Sequence, residues 1–190
     1  MTRSLVIVPR WAGHADSDFY PWLRHEHPVG FDTVRALEMP NPQQPTPEAW
    51  GAALREALGP CPPPGTVLMG HSVGCQAVLR YLAAMPPGSQ VDGVMLVAGW
   101  WTVDKPWDSL LPWIDDSLDF ARLRATARRF VVLLSNDDPF TADFHQNGQL
   151  WRKRLGAEVE IITGARHFNA AQEPSVLDAL ERHFADMRTE

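Results

Sequence analysis

The chain has 190 residues, 45% of them hydrophobic and 21% charged, which is enough for one soluble domain with a sizeable buried core. Its formal net charge of −6 argues against nucleic acid or an anionic membrane as a partner. Two cysteines, Cys61 and Cys75, and a start without a signal-peptide pattern predict a reduced, cytoplasmic chain, and no apolar run is long enough for a transmembrane helix.

In chain order, the first half of the sequence alternates short apolar runs with segments of helical spacing. It predicts a strand over 4–9, a helix carrying Phe19, Trp22 and Leu23, a strand over 33–37, a helix from Pro47 to about Leu58, a strand over 67–69 and a helix that ends near Met85. Continuous apolar runs such as 4–9 are typical of strands buried on both faces of a parallel sheet. Thr46 before Pro47 is a helix N-cap signal, and it predicts where the second helix begins.

The second half of the sequence continues this alternation. It predicts a strand over 91–98, a weak helix over 118–127, a strand over 130–134, a helix over 142–155, a strand over 159–162 and a closing helix with Val176, Leu177, Leu180, Phe184 and Met187 on one stripe. Six strands alternating with helices predict an α/β fold, a three-layer sandwich around a mostly parallel six-stranded sheet, formed by residues 1–190 as a single domain. Sites in such folds form beyond the carboxyl ends of the strands, so reactive residues are expected in the loops that follow them.

The pattern Gly-x-Ser-x-Gly occupies residues 70–74, directly between a predicted strand and a predicted helix. This is the context of a nucleophile elbow, in which Ser72 stands on a sharp, strained turn and the two glycines let strand and helix pass closely. The hydroxyl would lie at the N-terminal end of the helix, where the amide of Val73 can donate to a developing oxyanion. The motif therefore predicts a serine nucleophile, with an ordinary turn serine as the plain alternative.

Two other strand-end loops carry the residue types that a serine nucleophile needs. Asp137 and Asp138 follow the fifth predicted strand and His167 follows the sixth, which is the Ser, Asp, His order of α/β-hydrolases. We expect His167 to take the proton of Ser72 and one aspartate to orient the imidazole. Because adjacent residues point in different directions, only one of the two aspartates can face the histidine. The loop after the first strand, around Trp11, is expected to supply a second oxyanion N–H.

Several segments of the chain match the sequence pattern of one protein family. They are Val8-Pro9, Trp22, 39–42, 70–74, 135–140 and 164–169, and together they span nearly the whole chain. On these residues the chain resembles the small single-domain serine hydrolases of the retinoblastoma-binding-protein type, also called YdeN-like, within the α/β-hydrolase superfamily. The resemblance implies a triad of Ser72, Asp138 and His167 that hydrolyses small carboxylic esters or related acyl compounds. It also implies a minimal fold without a large cap domain and no cofactor.

The residues expected to border a substrate pocket are Arg10, His71, Trp100, Trp101 and Arg166. The two tryptophans begin a Trp-rich segment over 99–117, which is expected either to form a small lid or pocket wall or to plug a loop onto the body. His71 either takes part in the site or is a packed neutral side chain. Arg10 and Arg166 stand where the family often has glycine, and they either narrow the site, pair with an acidic substrate group or face solvent.

The motifs of metal and nucleotide sites, such as H-E-x-x-H, C-x-x-C, G-x-G-x-x-G and the P-loop, do not occur, so no metal and no cofactor are expected. The predicted function is that of an esterase-like serine hydrolase that acts on a small-molecule acyl substrate through an acyl-enzyme. Two alternatives stay open. One is a non-catalytic binding or interaction protein on the same fold, and the other is a peptidase or acyltransferase with the same triad.

Overall fold

The chain folds into a six-stranded sheet with helices on both faces, and the computed structural model describes residues 2–114 and 117–187. The strands are β1 (Ser4–Val8), β2 (Thr33–Ala36), β3 (Thr66–His71), β4 (Gly93–Val97), β5 (Phe130–Ser135) and β6 (Glu158–Ile162). The helices are α1 (Tyr20–Glu26), α2 (Pro47–Leu58), α3 (Val73–Ala84), α4 (Phe120–Arg124), α5 (Phe144–Leu155) and α6 (Pro174–Phe184), and a 3-10 helix covers Asp108–Trp113.

The sheet has the strand order β2-β1-β3-β4-β5-β6, and every neighbouring pair is parallel. The predicted α/β sandwich is therefore confirmed, and the sheet described is parallel throughout rather than mostly parallel. The strand order changes direction between β1 and β3. The connections after β1 and β3 run to opposite faces of the sheet, which leaves a crevice at the carboxyl ends of these two strands. Ligands bind in such crevices in open α/β sheets.

Alternate side chains of the strands enter two separate hydrophobic cores, one on each face of the sheet. One core packs the sheet against α2, α3, α4 and α5, and it contains Val6, Leu68, Leu96, Trp50, Leu82 and Trp151. The other packs the sheet against α1 and α6, and it contains Ile7, Met69, Val97, Phe19, Leu180 and Phe184. Because both faces are covered, the central strands β3, β4 and β5 are buried at every position, as their continuous apolar runs predict.

Local signals set most of the element ends. The side chain of Thr46 accepts a hydrogen bond from the N–H of Ala49, which makes it the predicted N-cap of α2. The helix predicted over 118–127 is shorter than expected, since α4 covers only Phe120–Arg124. The 3-10 helix was not predicted; Pro112 lies inside it, and proline weakens the apolar periodicity that would indicate a helix. Among the residues that the structure describes, no helix combines the length and apolar character that a bilayer crossing requires.

Candidate active site

Ser72 lies on a tight turn between β3 and α3, with a glycine two residues away on each side. Its φ is 55° and its ψ is −120°, an unfavourable conformation for a residue with a side chain. A Cβ at Gly70 would lie 2.6 Å from the Cα of Cys75, and a Cβ at Gly74 would lie 2.3 Å from the carbonyl oxygen of Val8. The two glycines thus let α3 pass directly over β1 and β3, and the Ser72 hydroxyl stands at the N-terminus of α3.

The structure brings Ser72, His167 and Asp138 into one line of contacts. Nε2 of His167 lies 2.9 Å from Oγ of Ser72, and Nδ1 of His167 lies 2.7 Å from Oδ2 of Asp138. An ionised carboxylate only accepts, so Nδ1 carries the proton and Nε2 has a lone pair for the Ser72 hydroxyl. All three side chains are buried, which strengthens the electrostatic coupling between them. This arrangement can remove the hydroxyl proton and stabilise the resulting imidazolium.

The two adjacent aspartates have different partners. Asp138 faces His167, and its second oxygen accepts the N–H of Phe140 at 2.9 Å. Oδ1 of Asp137 accepts from the Ser135 hydroxyl at 2.6 Å and from the N–H of Arg166 at 2.7 Å. The Ser135 hydroxyl and the Arg166 amide hold the pKa of the Asp137 carboxyl below its usual value. Asp137 therefore ties the loop after β5 to the loop after β6, and Asp138 contacts the imidazole.

His167 is presented by two unusual backbone conformations. Its neighbours Arg166 and Phe168 have φ values of 50° and 54°, in the left-handed region that residues with side chains rarely adopt. Phe168 is fully buried in the core beneath the loop, and the ring of Phe140 packs edge-on against the imidazole at a centroid distance of 4.8 Å. Packing thus holds His167 over Ser72 in a turn that would otherwise be unfavourable.

Two backbone N–H groups are available next to the Ser72 hydroxyl. Val73 is the first residue of α3, so its N–H has no partner within the helix. Trp11 follows β1, and within the described ranges its N–H donates to no acceptor. Both residues line the cavity in front of Ser72. The loops after β1 and β3 therefore place one N–H group each at this cavity, and that the two donate to an oxyanion stays a prediction.

A cavity of about 360 Å³ opens onto Ser72 and His167. Its apolar wall consists of Trp11, Trp100, Val103, Trp107, Leu110 and Phe140, and the rest of the lining is Arg10, Ser72, Val73, His167 and Asn169. A volume of this size fits a small ligand, and an aromatic wall with few polar groups is typical of pockets for apolar groups. Among the residues described, no three His, Cys, Asp or Glu side chains converge as ligands for a metal ion.

Arg10 lines this cavity, but its guanidinium is already paired. Nε and Nη2 donate to the two oxygens of Asp18 at 2.7 and 3.1 Å, and Nη1 donates to the carbonyl oxygen of Trp11 at 2.8 Å. Asp18 is nearly buried and also accepts from the side-chain amide of Asn169 at 3.3 Å. A bidentate pair of this kind neutralises the Arg10 charge at the cavity rim. Arg10 thus lies at the cavity, where the sequence predicts it, and its guanidinium is held by an internal ion pair.

Three of the residues expected at the pocket lie elsewhere. His71 is the last residue of β3 and is fully buried beneath the elbow rather than in the cavity wall. Trp101 is turned into the core, where its ring packs 4.5 Å from that of Trp151. Arg166 is exposed and lines an adjoining surface depression on the other side of Phe140, His167 and Asn169, which line both the depression and the cavity. The predictions that these side chains border the cavity on Ser72 are therefore corrected, because strand and loop geometry turns each of them away from it.

The Trp-rich segment predicted over 99–117 combines both of its expected roles, although its residues 115–116 lie outside the described residues. Trp100 and Trp107 line the cavity, as a pocket wall would. Trp113 is fully buried, and its indole N–H donates to the carbonyl oxygen of Pro45 at 3.2 Å. Some tryptophans of this segment therefore line the cavity, and others pack into the core and anchor the segment to the rest of the domain.

Sequence reasoning missed several residues of the site. They are the lining residues Val103, Trp107, Leu110, Phe140 and Asn169, and Asp18, which pairs with Arg10. Two of them had a usable signal: Phe140 follows the strand-end pair 137–138 by two residues, and Asn169 follows His167 by two. Asp18 had none, because its partner is decided by the path of the loop after β1.

Comparisons with known proteins match nearly the whole chain. The model of a family described as serine hydrolase matches residues 5–185. YdeN of Bacillus subtilis (strain 168) is 28% identical over 194 residues, which cover 97% of this chain and 98% of YdeN. The crystal structure of the ydeN gene product from B. subtilis has a TM-score of 0.76 at 25% identity, and the match covers 97% of this chain and 100% of that one.

Two more distant structures share the fold alone. A YdeN-like protein from Pectobacterium atrosepticum has a TM-score of 0.73 at 22% identity, covering 99% of this chain and 94% of that one. Naproxen esterase (carboxylesterase NP) from B. subtilis has a TM-score of 0.62 at 13% identity, covering 96% of this chain and 84% of that one. The fold is therefore shared by proteins of quite different sequence.

Proposed function

The chain belongs to the serine hydrolase family, and from this premise we propose that it hydrolyses small, neutral carboxylic esters through an acyl-enzyme on Ser72. The observation that carries the proposal is the continuous contact from Asp138 through His167 to Ser72, at 2.7 and 2.9 Å. This is the spacing at which a general base can take the proton of a serine hydroxyl. The likeness in fold to a protein named as a carboxylesterase supports the ester class.

The first half of the proposed reaction forms the acyl-enzyme. Oγ of Ser72 attacks the ester carbonyl carbon while Nε2 of His167 takes the hydroxyl proton. The carbonyl oxygen becomes an oxyanion and accepts hydrogen bonds from the N–H groups of Val73 and Trp11. The tetrahedral intermediate collapses as His167 returns the proton to the leaving alcohol oxygen, and the acyl group stays on Ser72.

The second half releases the acid. Water attacks the acyl carbon while Nε2 of His167 takes one of its protons, and the same two N–H groups stabilise the second oxyanion. The bond from the acyl carbon to Oγ of Ser72 then breaks, and His167 protonates the serine. The carboxylate of Asp138 stabilises the imidazolium in both halves without itself becoming protonated.

The cavity supports a neutral, apolar acyl or alcohol group as the preferred substrate part. Its wall is mainly aromatic, and its one arginine is paired with Asp18 within the described lining. A substrate carboxylate would have to compete with Asp18 for Arg10, and it would lose water without a new full partner. Uncharged esters avoid this cost.

An activity probe tests the proposal directly. A fluorophosphonate should label the wild type and the Ser89→Ala variant but not Ser72→Ala, because only an activated serine attacks the phosphorus. Ser89 is a matched control, since it lies in the turn after α3 and away from the cavity. Wild type and Ser89→Ala should also hydrolyse short p-nitrophenyl esters, and Ser72→Ala should not.

Three other outcomes would change the proposal. A folded wild type that is neither labelled nor active would overturn it in favour of the non-catalytic binding protein. Labelling with turnover of peptide amides but not esters would indicate a peptidase. Faster turnover when a second alcohol is added, with transfer of the acyl group to that alcohol, would indicate an acyltransferase.

A further inference from the structure

A buried chain of hydrogen bonds runs beneath the elbow, from the loop after β1 to the loop after β6. The N–H of Arg10 lies 3.2 Å from the hydroxyl oxygen of Tyr20, and that oxygen lies 2.7 Å from Nδ1 of His71. Nε2 of His71 lies 2.9 Å from the carbonyl oxygen of His167. The side chains of Tyr20 and His71 are completely buried, so water does not compete for these bonds.

Which group donates in each of these hydrogen bonds follows from the groups that can only accept. A carbonyl oxygen only accepts, so Nε2 of His71 carries the proton and donates to His167. A neutral imidazole has one N–H, so Nδ1 accepts the hydroxyl proton of Tyr20, whose oxygen in turn accepts the N–H of Arg10. Burial and the nearby His167 lower the pKa of His71 well below its ordinary value, and burial raises the pKa of Tyr20, which keeps both neutral.

Aromatic packing holds the His71 ring in the orientation that these bonds need. The ring centroids of Phe19, Tyr20 and His167 lie 5.4, 5.8 and 5.6 Å from that of His71. His71 is also the residue before Ser72, so its backbone is part of the elbow. The bonds therefore connect three loops: the one that carries the Trp11 N–H, the one that carries Ser72 and the one that carries His167.

We infer that Tyr20 and His71 are positioning residues. They hold two groups in place relative to Ser72: the loop at Arg10–Trp11, which carries the Trp11 N–H, and the backbone of His167. Neither side chain lines the cavity, so neither touches the substrate. The inference rests on the proposed ester hydrolysis, because it concerns the geometry of that reaction. A second contact between the two outer loops lies at the cavity rim: Asp18 accepts from the Arg10 guanidinium and from Asn169, and within the described residues it makes no hydrogen bond to Tyr20 or His71.

Removing one oxygen atom tests the inference. Tyr20→Phe keeps the ring and its packing but leaves the Arg10 N–H and Nδ1 of His71 without partners. We expect kcat for a p-nitrophenyl ester to fall at least tenfold and KM to change less than twofold. A displaced loop weakens the stabilisation of the transition state more than it weakens substrate binding. The rate of fluorophosphonate labelling at Ser72 should fall in parallel.

Tyr81→Phe is the matched control for this change. The Tyr81 hydroxyl is also on a buried ring and donates to the carbonyl oxygen of Gly59 at 3.0 Å, but it lies in the other core, on α3. The control removes a comparable hydrogen bond and leaves the hydrogen bonds beneath the elbow unchanged. We expect its kcat and KM to stay within twofold of the wild type.

A second pair of variants keeps the inference testable if Tyr20→Phe folds poorly. The amide of Gln has one acceptor and a donor, so His71→Gln can accept from Tyr20 and donate to His167, and it should retain kcat within about fivefold. His71→Leu has neither group, and its kcat should fall at least tenfold at unchanged KM. Rescue by Gln but not by Leu would not arise from packing volume alone.

The outcomes separate this inference from the proposed function. A wild type without labelling or turnover overturns the proposed function and this inference with it. An active wild type overturns this inference alone if Tyr20→Phe keeps its kcat, or if Tyr20→Phe and Tyr81→Phe lose equal activity. A loss that appears only in KM, or equal kcat for His71→Gln and His71→Leu, also overturns it.

Discussion

The connections that lead from β3, β5 and β6 to the following α-helix are shorter than the connection that leads from β4 to α4, and they carry different kinds of side chain. The first three present Ser72, Asp138 and His167 close to the ends of their strands, and backbone N–H groups such as those of Phe140 and Arg166 donate to the aspartates of the loop after β5. The connection after β4 is held by buried tryptophans such as Trp101 and Trp113, while Trp107 between them stays 41% exposed. Hydrogen bonds also hold it: Gln76 donates to the carbonyl oxygen of Trp100, and the N–H of Trp101 donates to Asn147. Connections close to the strand ends thus carry the reactive groups, and a longer aromatic segment supplies much of the cavity wall.

This difference indicates that the three candidate catalytic side chains and the Trp-rich part of the cavity wall are built on separate parts of the chain. An error in a tight turn displaces a reactive atom, which lowers the rate of the chemical step. An error in the aromatic wall removes contact with parts of the substrate that do not react, which weakens ground state and transition state alike. The following four predictions test this separation, from the largest expected effect to the smallest.

Exchanging the carboxylates for amides should affect the two adjacent aspartates unequally. Asp138→Asn places an N–H donor opposite Nδ1 of His167 or selects the wrong tautomer, so kcat/KM for a p-nitrophenyl ester should fall about 10⁴-fold. Asp137→Asn keeps an oxygen that can accept from Ser135 and Arg166, so its loss should stay below tenfold. Similar losses in the two variants, at unchanged stability to urea, would contradict the assignment of Asp138.

A methyl group at the elbow should destabilise the whole fold. In Gly74→Ala the new Cβ would lie 2.3 Å from the carbonyl oxygen of Val8, so backbone must move, and the free energy of unfolding should fall by about 1–3 kcal/mol. Gly51→Ala in α2 is the control, because its Cβ meets nothing closer than 3.5 Å. That variant should gain about 0.5–1 kcal/mol, as alanine favours helices. Urea unfolding of both variants measures the difference, and equal stabilities would show that the elbow tolerates the methyl group.

His71 should make the stability of the fold depend on acidity. Its pKa is held well below the ordinary value in the folded state, so below about pH 6.5 only the unfolded chain binds this proton. The resulting stability is present above that pH and is lost as the pH falls, by up to about 1.4 kcal/mol per pH unit. Urea unfolding at pH 7, 6 and 5 should therefore show a shallower decline for His71→Gln than for the wild type. Parallel declines would mean that His71 does not resist protonation.

Trimming the aromatic wall should change binding rather than chemistry. Trp107→Ala removes an indole that packs edge-on against Trp11 at 5.3 Å, and KM for an ester with an apolar acyl chain should rise about fivefold with kcat within twofold. Leu111→Ala is the control, because Leu111 lies on the same 3-10 helix, is 52% exposed and does not line the cavity. A fall in kcat for Trp107→Ala that matches the change in KM would argue against separate roles.

The sequence predicts the sheet and the elbow well because their requirements fall on neighbouring residues. Buried parallel strands need continuous apolar runs, and the turn at Ser72 needs glycine at 70 and 74, so both features are visible in a short window. The site is also predictable to the level of three loops, since the carboxyl ends of parallel strands share one edge. The choice within a loop is less visible: the N–H of Arg166 pairs with Asp137, and this contact leaves Asp138 to face His167.

The amino-acid sequence by itself determined the α/β fold, the serine elbow and the order of the candidate catalytic residues, because each depends on local backbone conformation and burial. Only the tertiary structure decided which tryptophans line the cavity, that Asp18 neutralises Arg10, and that Tyr20 reaches beneath the elbow to His71. These are contacts between loops whose paths are set by packing over the whole sheet. The type of a residue determines which hydrogen bonds and ion pairs its side chain can form, but the partner in each depends on which loops the fold brings together.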